Sequence, residues 1–321
     1  MGISRTTIPK WNIVRYSAED KERWNRFVCH SKNGTFLLLR EYMDYHADRF
    51  EDCSLLIYCN KRLIAVLPGN ISDSCFYSHQ GLTYAGMIMS PYITLQQVRD
   101  AFHAVLGYLQ EEYHLKSFIY RAIPHIYHRY PAEEDLYVLT RMGATLTARS
   151  LSSTIAPSDR LPFRTLRRRQ QKKALAHALT ITEDEDFASF WEILEANLHE
   201  RYHTSPVHTL EEICRLHRNF PQQIALFRVC NGKETLGGCV VYETEQVAHV
   251  QYIAASPLGK KQGALDLLFQ QLICERYAHK RYFDFGISTE QGGQILNEGL
   301  LFQKEGFGAR AILYDIYELK L

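Results

Sequence analysis

Residues 224–256 read IALFRVCNGKETLGGCVVYETEQVAHVQYIAAS. Three apolar, β-branched runs lie here in succession, at 224–230, 235–244 and 247–256, and Asn231-Gly232 separates the first two. Asn-Gly tolerates the positive φ angles of a tight hairpin turn, so the stretch predicts three consecutive strands. Upstream, LTITE (179–183) alternates as a short strand, and Phe187, Phe190, Trp191, Leu194 and Leu198 fall on one helical stripe. Thr209 and Glu212 form a capping-box pattern at the head of a second helix over 209–219. Downstream come a helix from about 263 to 277, a strand ending at Gly286, a helix over 292–304 and a last apolar segment, ARAILYDIYEL (309–319). The order is β-α-α-β-β-β-α-β-α-β.

The first half repeats that order. WNIVRYS (11–17) reads as a strand, and helices surround Trp24, Phe27 and Val28, then Leu38, Tyr42 and Tyr45. Strands follow at 54–60, 62–71 and 75–89. A long helix then carries Val98, Phe102, Val105, Leu106, Leu109 and Tyr113 on one stripe, before strand SFIYRAIP (117–124). A Ser- and Pro-rich stretch at 151–162 joins the halves. The expected class is mixed α/β, with domains at 1–155 and 156–321, each a mostly antiparallel mixed sheet flanked by helices. A length of 321 residues and 46% hydrophobic content suit two cores.

Charge excludes a global polyanion field, because 37 Lys+Arg face 36 Asp+Glu. A nucleic-acid partner would need a local patch, and FRTLRRRQQKKALAHAL (163–179) supplies one, with six cations between Arg164 and Lys173. That run reads either as a solvated helix face or as an anion site. No run approaches the roughly 20 apolar residues of a membrane span, and Gly2 only loosely fits a myristoylation pattern. The eight cysteines contain no CxxC pair and read as buried thiols of a reducing cytoplasm.

The segment Tyr282-Phe-Asp-Phe-Gly-Ile-Ser-Thr-Glu290, followed by Leu296-Asn-Glu-Gly-Leu-Leu-Phe-Gln-Lys-Glu-Gly-Phe-Gly308, is similar to the DFG and FKxxFG ending of the Fem aminoacyltransferases. DFG alone also occurs in kinases, but no HRD-type loop precedes it here. Together with the duplicated order, the segment resembles FemAB-like acyltransferases built from two GNAT domains. The resemblance implies transfer of an acyl group from acetyl-CoA or another acyl-CoA to the amine of an amino sugar, amino acid or nucleotide-linked cell-envelope precursor. An aminoacyl-tRNA donor is the alternative, disfavoured because no segment is long enough for the helical arm of some Fem transferases. A binding protein on a retired GNAT fold is a third reading.

Acyl transfer to an amine needs a seat for the donor's phosphates, a base and a positive group near the growing oxyanion. Pro257-Leu-Gly-Lys-Lys-Gln-Gly-Ala264 is expected to seat a pyrophosphate at a helix start, with Lys260, Lys261, Gly263 and Ala264 taking part and Ala254 and Ala255 along the pantetheine. The same stretch reads equally as an ordinary turn. The matching stretch 90–97 lacks glycine and carries a Thr94 to Gln97 capping box, so the donor is expected in the second half alone. Strict alternation along 247–256 puts His249 and Gln251 on one face and Val250, Tyr252 and Ala254 on the other. His249 has a suitable pKa for a base, with Gln251 or Tyr252 orienting the acceptor. The family's carbonyl-stabilising lysine maps to Lys304, and Asp284, Ser288, Glu290 and Asn297 surround it in sequence. Two further polar clusters, with His79 and Tyr84 in one and His203 in the other, are expected to line an acceptor pocket if the halves meet there. HERYH (199–203) superficially resembles a His-x-x-x-His zinc helix, but no metal is expected.

Overall fold

The computed structural model describes residues 9–321, the side chains of residues 201 and 202 apart. Gly2 lies outside the described residues. Contacts divide the chain into two compact units, one running to Arg149 and including Tyr314–Leu321, the other spanning Ser150–Leu313.

The first unit contains β1 (Trp11–Arg15), α1 (Lys21–His30), α2 (Arg40–Met43), β2 (Glu51–Asp52), β3 (Leu55–Cys59), β4 (Arg62–Leu67), β5 (Asn70–Ser72), β6 (Cys75–Tyr77), β7 (Ile88–Met89), α3 (Leu95–Tyr113), β8 (Ser117–Arg121) and α4 (Glu134–Arg141). One antiparallel sheet has the order β1-β3-β4-β7. In another, β2, β5 and β6 are antiparallel neighbours and β6 runs parallel to β8. The Thr94 to Gln97 capping box starts α3, which buries Val98, Ala101, Phe102, Val105 and Leu109 and stops at His114 in the left-handed region. Each such side chain contributes about 1.5–3 kcal/mol when fully buried. The long strand expected over 75–89 survives only at its ends. His79 takes a positive φ of 68°, which turns the chain out of extended structure at once.

β9 (Thr145–Ile155) leads from the first unit into the second, which then forms α5 (Thr165–Ala176), β10 (Thr180–Asp184), α6 (Phe187–Tyr202), α7 (Leu210–Asn219), β11 (Ile224–Asn231), β12 (Glu234–Glu243), β13 (Val247–Ala255), α8 (Pro257–Gln262), α9 (Ala264–Gln271), β14 (Tyr282–Ile287), β15 (Thr289–Glu290), β16 (Ile295–Leu296) and α10 (Glu298–Gly306). The sheet order is β10-β11-β12-β13-β14-β9. Only β13 and β14 pair in parallel. The Thr209–Glu212 capping box forms as the residues predict, and the tight hairpin forms one residue later than expected, with Asn231 paired to Glu234 and Gly232-Lys233 making the turn. Leu236, Val241, Val250, Leu268, Phe269, Phe283 and Phe307 sit in this unit's core.

The helix expected at 263–277 forms, as α9 from Ala264 followed by a π-helical turn over Leu272–Arg276, with the short α8 before Gly263 as an addition. Two expectations are corrected. The helix placed at 292–304 starts only at Glu298, because Gly292 and Gly293 take positive φ and let β15 fold back on β16. The domain limits also differ from 1–155 and 156–321. β17 (Arg310–Lys320) pairs its last residues with β8 and puts Leu319 into the first unit's core, while Ser152–Ile155 pair with β14. Among the cysteines, Cys53, Cys59, Cys230 and Cys239 are buried but Cys29 is exposed.

Candidate active site

β13 and β14 lie side by side only from Val247↔Tyr282 to His249↔Asp284, and beyond that pair the ladder stops. β13 continues to Ala255 held on its β12 side alone. The strands therefore fork, with His249 and Asp284 at the fork.

The carboxylate of Asp284 is fully buried. It accepts hydrogen bonds from Ser152 Oγ at 2.6 Å, Thr154 Oγ1 at 2.7 Å and His249 Nδ1 at 2.7 Å. Burial alone would raise its pKa, but the donation from His249, Ser152 and Thr154 outweighs burial and holds it below the usual carboxylate range. An ionised Asp284 assigns the His249 proton to Nδ1, so Nε2 is the ring's acceptor nitrogen. Gly286 takes a φ of 76°, and a Cβ there would lie 3.4 Å from His249 Cε1. A side chain would strain the backbone and lie in van der Waals contact with the ring.

Lys304 enters the same place from the last turn of α10. Its side chain is buried and its Nζ donates to Gly286 O at 2.7 Å and Ile287 O at 2.8 Å. An ammonium has three N–H donors, so one is left for a ligand. Burial lowers the lysine pKa to about 8, against the opposing pull of Asp284. Behind Lys304 the Gly306-Phe307-Gly308 turn is locked: Gly308 has φ 88° and a Cβ there would meet Leu161 O at 2.7 Å. The motif glycines thus set the lysine's position.

The other expected residues distribute as follows. Ser288 Oγ is buried beside this turn without a hydrogen-bond partner. Asn297 caps α10 through Leu300 N and donates to Glu290 at 3.3 Å, so both brace the β15–β16 hairpin. Gln251 sits at a β-bulge: Val240 pairs with Tyr252 and Val241 with Val250. The bulge overturns the strict alternation, because the extra residue shifts everything after it to the opposite face. Ala248 and Val250 point into the core, whereas Tyr252 lies against Trp191 of α6 and its hydroxyl meets His208 Nδ1 at 2.6 Å. His249 and Tyr252 therefore share a face. His203 is exposed at the left-handed C-cap of α6.

At the expected donor turn, Ser256 caps α8 by accepting from Gly259 N, and Lys260 reaches Asn197 Oδ1 at 2.5 Å. Asn197 also donates to Ala255 O at 3.0 Å. Gly263 is pressed against α5, where a Cβ would meet Gln170 O at 2.4 Å, and Ala264 faces the core. Ala254 is buried beside it on β13, and Lys261 stays exposed. In the first unit, at the corresponding strand pair, Tyr120 fills the space: its hydroxyl accepts from Met87 N at 2.7 Å and donates to buried Asp135. His79 and Tyr84 are also buried there, His79 stacked on His46 and Tyr84 donating to Thr35. Neither offers a surface to a ligand.

Sequence reasoning missed Ser152 and Thr154, which stand in the stretch taken as linker. Their one signal is the alternation of small hydroxyl residues in SLSSTI (150–155).

Residues 163–291 match the family model described as an acetyltransferase (GNAT) domain. The match lies within the second unit. Solved structures with a similar fold align over nearly the whole chain. The crystal structure of FemX aligns at TM-score 0.66 and 10% identity over 97% of each chain. L-PGS from Bacillus licheniformis aligns at 0.58 and 9% over 94% of this chain and 91% of that one. A tandem GNAT protein from the clavulanic acid biosynthesis pathway aligns at 0.52 and 11% over 97% and 98%. No curated protein matches by sequence. The GNAT domain and the FemX-like tandem fold support an acyltransferase. Among the described residues no three His, Cys, Asp or Glu side chains gather as metal ligands, and no helix is long and apolar enough to cross a membrane.

Proposed function

We propose that the protein is an N-acyltransferase that carries an acyl group from a coenzyme A thioester to a primary amine at the β13–β14 fork. The observation that carries the reading is the buried Asp284 carboxylate, bonded by Ser152, Thr154 and His249 Nδ1. Such a carboxylate orients the imidazole and stabilises its protonated form. His249 Nε2 takes a proton from the amine as its nitrogen attacks the thioester carbonyl. The oxygen gaining charge is met by the remaining N–H of Lys304. As the carbonyl re-forms, the C–S bond breaks and His249 returns the proton to the leaving thiolate.

The edge of β13 beyond His249, ending at Ala254 and Ala255, faces no β14 partner and suits the amide groups of pantetheine. Lys260 and Lys261 flank the phosphates. Gln251, Tyr252, Ser288, Glu290, Asn297 and His203 provide the polar surroundings of the acceptor, an amino sugar, an amino acid or a nucleotide-linked envelope precursor.

A second reading, an aminoacyl-tRNA donor, has its own support. The Ser256 cap occupies an N–H that a pyrophosphate would use, and next to that turn α5 exposes Arg168, Arg169, Lys172 and Lys173, none in an ion pair among the described residues. The deciding experiment follows thiol release from acetyl-CoA with a panel of amines, alongside thermal shifts with CoA. Activity lost in Lys304→Ala and His249→Ala with folding intact supports the mechanism, and unchanged turnover removes both roles. No CoA shift, together with charged-tRNA binding that weakens steeply with salt, transfers support to the second reading. Neither ligand binding leaves a non-catalytic binding protein.

A further inference from the structure

The first unit carries a groove of about 730 Å³ along α3, lined wholly by residues of that unit. Helices α3 and α4 form its walls and the end of β17 its floor. Its apolar surface comes from Leu106, Tyr137, Met142, Leu319 and Leu321. Tyr137 is 58% exposed and Leu95, at the groove's head, 44%. On α3 the lining residues lie on the flank beside the core stripe, and Leu106, Met142 and Leu321 also pack against that core.

Two features set the groove apart from an ordinary helix surface. The first is Gly107, in the middle of a 19-residue helix. Glycine is the least favourable residue there apart from proline, and packing does not require it, since a Cβ at Gly107 would meet nothing within 4 Å. The missing side chain leaves the groove continuous past that turn. From Leu95 to Gln110 the α3 wall is about 22 Å long at the helical rise.

The second is charge. Arg99, His103, Arg141 and Lys320 line the groove and no Asp or Glu side chain does. Arg99 pairs with its neighbour Asp100, but Arg141 and Lys320 make no ion pair among the described residues. An apolar trough lined by Arg141 and Lys320 and by no acidic side chain is complementary to a ligand that has a long apolar body and one anionic end.

We propose that this groove binds a long-chain fatty acid, its alkyl chain along α3 across Gly107 and its carboxylate against Arg141 and Lys320. The site is separate from the acyl-transfer centre and does not depend on its assignment.

The test uses the full chain and cis-parinaric acid, whose fluorescence rises on entering an apolar site, with palmitate as competitor. Saturable binding displaced by palmitate is expected. Gly107→Leu fills the trough and should abolish binding while raising the melting temperature by about 2–4 °C, the direction helix propensity dictates. Arg141→Glu, on the surface and independent of helix packing, should weaken binding at least tenfold. Binding unchanged by both substitutions, or equal displacement by hexadecanol, overturns the proposal. So does a dimer in sedimentation that Gly107→Leu dissociates, because a second copy of the chain would then cover the groove.

Discussion

Asp284 holds its proton less tightly than a carboxylate in water, although burial works the other way. A folded pKa below the unfolded value contributes stability that is full above about pH 4 and is lost as pH falls through the lower, folded value. Lys304 shifts stability in the same direction, in a higher pH window. Its folded pKa of about 8 lies below the ordinary 10.5, so the unfolded chain binds more protons between those values and stability rises with pH there. Function responds separately. If the Lys304 ammonium meets the oxyanion, transfer should decline as pH passes about 8, and Lys304→Arg, whose charge persists, should lose that limb in a pH–rate profile. Asp284→Asn should lower kcat by about 10²–10⁴, the usual worth of a positioned acid–base group, and flatten the acid limb of a denaturation series. Asp284 and Lys304 were legible from their motif. Ser152 and Thr154 were not, because a hydroxyl's partner is known only once the facing strand is.

At the level of elements, glycines and one bulge decide where side chains point. Gly286 is in the left-handed region beside His249. Gly286→Ala should cost about 1–2 kcal/mol for the backbone conformation and reduce kcat beyond that, measured by chemical denaturation and turnover. A strain-only role would leave kcat of the folded fraction unchanged. The bulge at Gln251 shows why period-two reading failed on β13: one unpaired residue moved Tyr252 to the face of His249. Local capping signals fared better. Thr209→Ala should cost about 1 kcal/mol in thermal or chemical melts, since its hydroxyl serves Glu212 N at the start of α7.

Across the whole molecule, the chain's last strand is lent back to the first unit. β17 pairs Ile316–Lys320 with β8. A chain ending at Leu313 should therefore lose the cooperative transition of the first unit while keeping that of the second, seen as a changed calorimetric profile and altered hydrogen exchange in β8. An unchanged profile would show the pairing to be dispensable. Charge also acts at this scale. With 37 cations against 36 anions the molecule has no net field, so any salt-dependent association should vanish when Arg168, Arg169, Lys172 and Lys173 are replaced by Gln.

The amino-acid sequence by itself determined the duplicated order of strands and helices, the tight hairpin after Asn231 and both capping boxes, and it set Asp284 and Lys304 in one motif. Each of these depends on residues within a few positions of one another, where propensity, turn chemistry and periodicity act directly. Only the tertiary structure decided that β17 completes the first unit, that Tyr120 closes that unit's strand pair, that Gln251 bulges, and that Ser152 and Thr154 ionise a buried aspartate. Two of those outcomes join residues more than a hundred positions apart in the chain, β17 with β8 and Ser152 with Asp284. Burial and strand pairing, which no local pattern encodes, choose such partners and set the charges they carry.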